Sequence, residues 1–182
     1  MSIIIPIAYF FLANISTIIF TKKSFGTCLP LTVMLSTIIL FLSQFMLHTF
    51  NVGLIIIIIY SIIPIVNLIY NKLNKQEMNI KEKIITPGLV SFIVISILVI
   101  IYDFTRSFSM WDEFSHWGVM VKEMIRLDSF YSDINSTLMV HKDYPPIYSI
   151  YELLWIKLCG TYNESYLITS MHFFELTMFI PS

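Results

Sequence analysis

Seven consecutive residues hold most of the chemistry open to this chain: Trp111-Asp112-Glu113-Phe114-Ser115-His116-Trp117. Adjacent carboxylates repel, which raises the proton affinity of one of them and favours a metal ion or a substrate cation beside the pair. A carboxylate that is ionised and within hydrogen-bonding reach of an acceptor hydroxyl or amine is also the group that general-base catalysis needs. Residues four apart on a helix share a face, so Asp112 and His116 are expected to point at one ligand with Glu113 beside them. A second polar run, His141-Lys142-Asp143-Tyr144, stands directly before Pro145-Pro146. The prolines stiffen the approach, so these side chains are expected on a fixed turn and not on a loose loop.

The elements that must position these residues are read from where charge is missing. No Asp, Glu, Lys or Arg occurs between Ser24 and Asn71, and the first charged side chain is Lys22. A bilayer crossing takes about 20 mostly apolar residues, and Ile3 to Phe20, Cys28 to Leu47, Val52 to Tyr70 and Ile84 to Tyr102 each supply that. The expected fold is all-α, a polytopic transmembrane helix bundle with spans at 3–20, 28–47, 52–70 and 84–102. A composition of 57% hydrophobic and 13% charged residues excludes an ordinary soluble domain. A net charge of -1 offers no basic surface, so nucleic acid is not an expected partner. Residues 166–182 read as the start of a fifth span, cut short of a full crossing. The first span has neither a basic flank before it nor a small-residue cleavage site after it, so it is expected to stay as a helix. Cys28 and Cys159 are too isolated for a metal spacing or a disulfide framework.

Lysines set the orientation, because short basic loops stay on the cytoplasmic side. Lys22 and Lys23 lie between the first two spans, and Lys72, Lys75, Lys81 and Lys83 lie between the third and fourth. The expected protein is therefore a multi-pass cell-membrane protein whose amino terminus and residues 103–165 are extracytoplasmic. That loop differs in kind from the spans, since it holds nine acidic and five basic residues among Trp, Tyr and Met. Phe114, Trp117, Val121, Met124 and Ile125 recur at helical steps across Trp111 to Leu127, which predicts an amphipathic juxtamembrane helix. A second one is expected from Ile147 to Leu158, begun by proline and closed by Gly160, with Tyr148, Tyr151 and Trp155 along one side. The plain alternative is that both helices lie on the membrane surface, aromatic rings at the headgroup level and charges in water.

Asp-Glu soon after a span, a Met on the next helix (Met120 or Met124), a short polar excursion and a Tyr-Pro-Pro before an aromatic helix resemble the first outer loop of GT-C membrane glycosyltransferases. The pattern is most similar to protein O-mannosyltransferases and to aminoarabinose transferases, and it covers roughly Ile101 to Trp155. The resemblance implies a sugar donor carried on a polyprenyl phosphate, direct inverting transfer, and an acceptor site at the bilayer edge. It implies Asp112 as the general base and Glu113 as a catalytic partner that shapes the acceptor site or, with Asp112, binds a divalent metal ion. His116, His141, Lys142, Asp143 and Tyr144 are implied as substrate-binding, with Lys142 near the lipid-linked phosphate. Family members usually have a Lys directly before Pro-Pro, where this chain has Tyr144. Partners implied are the bilayer, the lipid-linked donor, and a carboxy-terminal half or partner subunit that carries the donor tunnel. Two other classes stand beside this one: a non-catalytic polytopic membrane protein, such as a transporter fragment or an assembly partner, and a metal-dependent hydrolase using Glu113, His116 and His141. No His-Glu-x-x-His zinc pattern is present for the last.

Overall fold

The computed structural model describes residues 2–74 and 80–181, and all their side chains except those of 115 and 116. Among the described residues every regular element is a helix. Three helices are long and apolar enough to cross a membrane: α1 (Ile4–Thr21), α2 (Phe25–Leu47) and α3 (Phe50–Leu73). They match the first three expected spans within a few residues. Both connections are tight, and each is closed by a residue in the left-handed region: Lys22 (φ 59°) donates to the Ile18 carbonyl, and His48 (φ 53°) to that of Gln44. These bonds satisfy carbonyls that a helix end would otherwise leave bare.

Hydroxyls and one amide sew the three helices together. Thr17 and Thr32 hydroxyls are 2.6 Å apart, Thr32 donates to Asn14 Oδ1 at 3.0 Å, and the Tyr60 hydroxyl lies 2.9 Å from that of Thr17. Pro64 sits inside α3, has no N–H, and so cannot bond the carbonyl of Tyr60 four residues earlier. Ser16 of α1 donates to that carbonyl at 2.6 Å, so a neighbouring helix repairs the break. Gly53 lets α3 approach α2, because a Cβ there would lie 2.8 Å from the Ser43 Cβ. The rest of α3 is open, with Ile55, Ile59 and Val66 more than half exposed, as a lipid-facing helix requires.

The fourth expected span begins later than its apolar run. Thr86 precedes a proline and is extended (φ -130°, ψ 165°), so the short helix α4 (Lys81–Ile84) stops and α5 (Pro87–Asp103) starts at proline. At 17 residues α5 is shorter than the three long helices. After the loop come a π-helical turn (Glu113–Trp117), α6 (Gly118–Leu127), α7 (Ile147–Cys159) and α8 (Glu164–Thr177). Gly160 (φ 75°) closes α7 in a conformation that suits glycine, and Asn163 caps α8 by accepting from Ser165 N–H at 2.8 Å. α8 runs antiparallel to α5: Ser165 lies at Asp103, Phe173 at Phe92, and Pro181 at Gly88.

The expected pair of amphipathic helices splits. α6 buries one face, through Met120, Val121 and Met124. α7 is buried on nearly every side between α1, α2, α6 and α8, not laid on a surface. The reason is in its residues: Ile150, Leu153, Leu154, Trp155 and Ile156 distribute apolar surface all round the helix, and such a helix belongs in a core. Trp155 stacks 5.8 Å from Phe10 of α1 and 5.0 Å from Phe173 of α8, making α7 the centre of the aromatic core.

Candidate functional site

The acidic pair sits on irregular helix. Gly118 N–H bonds back to the Glu113 carbonyl, five residues earlier, which widens the turn into a π-helix. Gly118 is required there, since the Phe108 ring occupies the space that a Cβ would need. Such single π turns are common where a helix presents functional side chains.

The two carboxylates of the pair have different surroundings. Glu113 Oε2 turns back to accept the N–H groups of Ser109 at 2.6 Å and Met110 at 2.7 Å, closing the start of the helix as a capping box does. Asp112 is exposed, flanked by Trp111 and Phe114, which are 80% and 52% exposed. Glu113 is thus a residue that builds the turn, and Asp112 is the one presented by it. The side chain of His116, expected to share a ligand with Asp112, lies outside the described residues, as does Lys75 of the basic link. Among the described residues no three His, Cys, Asp or Glu side chains come together around a space for a metal ion.

The polar excursion is folded, and one residue folds it. Glu123 of α6 is buried and accepts from Arg126 Nε (2.9 Å) and Nη2 (2.7 Å), and from the backbone N–H and hydroxyl of Thr137. The Arg126 guanidinium beside it, with the Thr137 N–H, pushes its carboxyl down to about 2. Arg126 also donates to the Asn135 carbonyl, and Asp133 caps Asn135 N–H at 2.9 Å, so residues 133–137 are pinned to α6. Lys142 Nζ donates to the Ser136 carbonyl at 3.0 Å, and Tyr131 hydroxyl donates to the Tyr144 carbonyl at 2.6 Å. His141 takes a left-handed backbone (φ 64°), and its ring lies tilted 4.8 Å from that of Tyr144. Asp143 and Tyr144 are exposed and Lys142 and His141 half-buried.

The π turn and α6 meet the start of α7. Trp117 meets Tyr148 edge-on at 5.4 Å, and Ser149 hydroxyl lies 3.6 Å from Met120 sulfur, so the π turn borders the segment that Pro145-Pro146 delivers. Three ionisable residues outside the expected site matter structurally. Glu123 is the hub just described, Asp103 is buried against His172 at 2.8 Å, and Glu152 is fully buried with neither carboxyl oxygen bonded among the described residues. Asp103 and His172 carry a sequence signal, being ionisable groups at or within apolar stretches. Glu123 and Glu152 carry none, since either fits a solvated helix face.

No family model, curated protein or solved structure matches this chain.

Proposed function

We propose that this chain acts within a membrane glycosyltransferase that moves a sugar from a polyprenyl-phosphate donor to an extracytoplasmic hydroxyl or amine. The observation behind this reading is the exposed Asp112 at the start of a π turn, with Trp117 of that turn against Tyr148, just after the Tyr144-Pro145-Pro146 turn. The orientation that goes with it has the amino terminus and residues 103–165 outside, and the lysine links inside.

In this mechanism Asp112 takes the acceptor proton as the new bond to the anomeric carbon forms. The bond from that carbon to the phosphate oxygen breaks, and the electron pair leaves with the lipid phosphate. Glu113 fixes the start of the turn through its Oε2 and stands beside Asp112 as the partner that shapes the acceptor site. Lys142 spends one N–H on Ser136 and keeps two donors for an anion, so its share in phosphate binding is that of a positioned point charge. His116, His141, Asp143 and Tyr144 complete the substrate contacts.

The test is transfer of radiolabelled sugar from a panel of polyprenyl-phosphate sugars in membranes bearing the protein. Asp112→Asn should lower transfer by about 10²- to 10⁴-fold with insertion unchanged. Near-normal transfer in that variant removes Asp112 from the role of base. No transfer from any donor in native membranes, where the chain keeps whatever carries the donor tunnel, turns the reading to a non-catalytic membrane protein. One observation favours that second reading: Glu113, Glu123, Arg126 and Asp133 all make bonds inside the loop, as they would in a brace.

A further inference from the structure

Where α5 ends, one buried carboxylate faces a guanidinium and an imidazole. Asp103 is fully buried; its Oδ2 lies 2.8 Å from His172 Nδ1 and its Oδ1 3.6 Å from Arg106 Nη1. The longer distance is an ion pair without a hydrogen bond, and Oδ1 has no hydrogen-bond partner among the described residues. The Arg106 backbone N–H donates to the Asp103 carbonyl at 3.1 Å, and its guanidinium, without a hydrogen bond among the described residues, rests 4.8 Å above the Tyr102 ring, which in turn lies 6.0 Å from the His172 ring. Five N–H donors are therefore held in place and unspent. With Nδ1 turned to Asp103, the ring nitrogen that His172 offers a ligand is Nε2, which accepts from a phosphate hydroxyl when Nδ1 carries the ring's one proton and donates when both nitrogens carry one.

The surroundings say what that ligand is. Arg106 is 39% and His172 34% exposed, yet Ile101, Tyr102 and Phe104 beside them are each about two-thirds exposed and apolar. Such a belt at the end of an apolar helix suits lipid and headgroups rather than open water. An anion that reaches a guanidinium through that belt must carry its own apolar tail. Arginine's planar fork matches phosphate oxygens in pairs, and a buried carboxylate behind it keeps the fork from swinging away.

We infer that Arg106 and His172, positioned by Asp103, bind the phosphate of an anionic single-phosphate amphiphile that enters from the lipid side. The inference rests on this geometry and not on the sugar-transfer reading, and its test needs no transferase activity. The experiment is equilibrium binding of radiolabelled dodecyl phosphate to the whole chain in phosphatidylcholine nanodiscs. Saturable binding of one molecule per chain is expected. Arg106→Gln and His172→Gln should each weaken it by about tenfold or more, the worth of a charge-assisted hydrogen bond, and Lys23→Gln should leave it unchanged. Inorganic phosphate competing at equal affinity would assign the site to free phosphate, and competition only by tailed phosphates assigns it to lipid. Binding that never saturates, or that ignores both substitutions, overturns the inference. As a check independent of any variant, the His172 Nε2 nitrogen resonance should move on adding dodecyl phosphate; a resonance that stays put overturns it equally.

Discussion

Among α1, α2 and α3 the buried polar side chains are hydroxyls and amides, such as Asn14, Thr17, Thr32 and Ser36; from Asp103 onward carboxylates are buried as well. In the first region the polar groups are small and neutral, and several of them, Tyr9 with Ser36 and Thr17 with Thr32 among them, bond across to a neighbouring helix and join apolar surfaces at little desolvation cost. In the second, Glu123 and Glu152 are both buried glutamates and their surroundings are opposite. Glu123 has four donors on its oxygens, and Glu152 has none among the described residues. A buried charge is stabilising only when its bonds replace those of water, so the same residue type ties down the loop in one place and loosens the core in another.

Removing the better-served glutamate gives the largest stability change in this comparison. Glu123→Gln should destabilise the loop by about 3 kcal/mol, through the loss of charge-assisted bonds from Arg126 and Thr137. Limited proteolysis within residues 133–142 is the readout, and an unchanged cleavage rate breaks the claim that Glu123 organises the excursion. The pH dependence has a definite sign. The carboxyl of Glu123 is lowered in the folded state from 4.5 to about 2, so the unfolded chain binds more protons in between. Its stabilisation is complete above about 4.5 and is lost as the pH falls toward about 2.

Glu152 should behave in reverse. Glu152→Met fills similar volume without an unpartnered carboxyl, and a gain of about 1–3 kcal/mol in resistance to denaturant is expected. A loss of that size would mean that Glu152 has a bound partner worth more than its burial. Burial raises its carboxyl well above the ordinary carboxylate range, so this residue's contribution weakens as the pH rises above about 4.5. The smallest effect belongs to the first region. Ser16→Ala leaves the Tyr60 carbonyl without the partner that Pro64 denies it, at about 0.6–1.7 kcal/mol. A larger loss than Glu123→Gln would invert the ranking of neutral and charged bonds.

Much of the bundle was legible beforehand because a charge-free run of span length leaves few alternatives. The short fourth helix was not, since apolarity runs on through Ile84 to Thr86 while the backbone before Pro87 cannot remain helical. The double proline and Gly160 marked the ends of α7 correctly. Its burial was missed because Tyr148, Tyr151 and Trp155 along one side suggest a surface helix when no neighbours are known. At the acidic pair, adjacency predicted shared chemistry, yet Glu113 reaches back to the backbone of Ser109 and Met110. Adjacent carboxylates diverge readily when one can satisfy a helix start.

The sequence by itself determined that this is a helical protein with long apolar helices, because hydropathy and breakers act locally and need no partner to be read. It also set out the polar residues of the loop and the prolines that stiffen it. Only the tertiary structure decided which ionisable groups meet. Asp103 finds His172 sixty-nine positions away, and Glu123 finds Thr137 across the excursion, because helix packing brings together residues that no spacing relates. Burial without a partner, as at Glu152, is likewise a property of the packed neighbours and not of the residue.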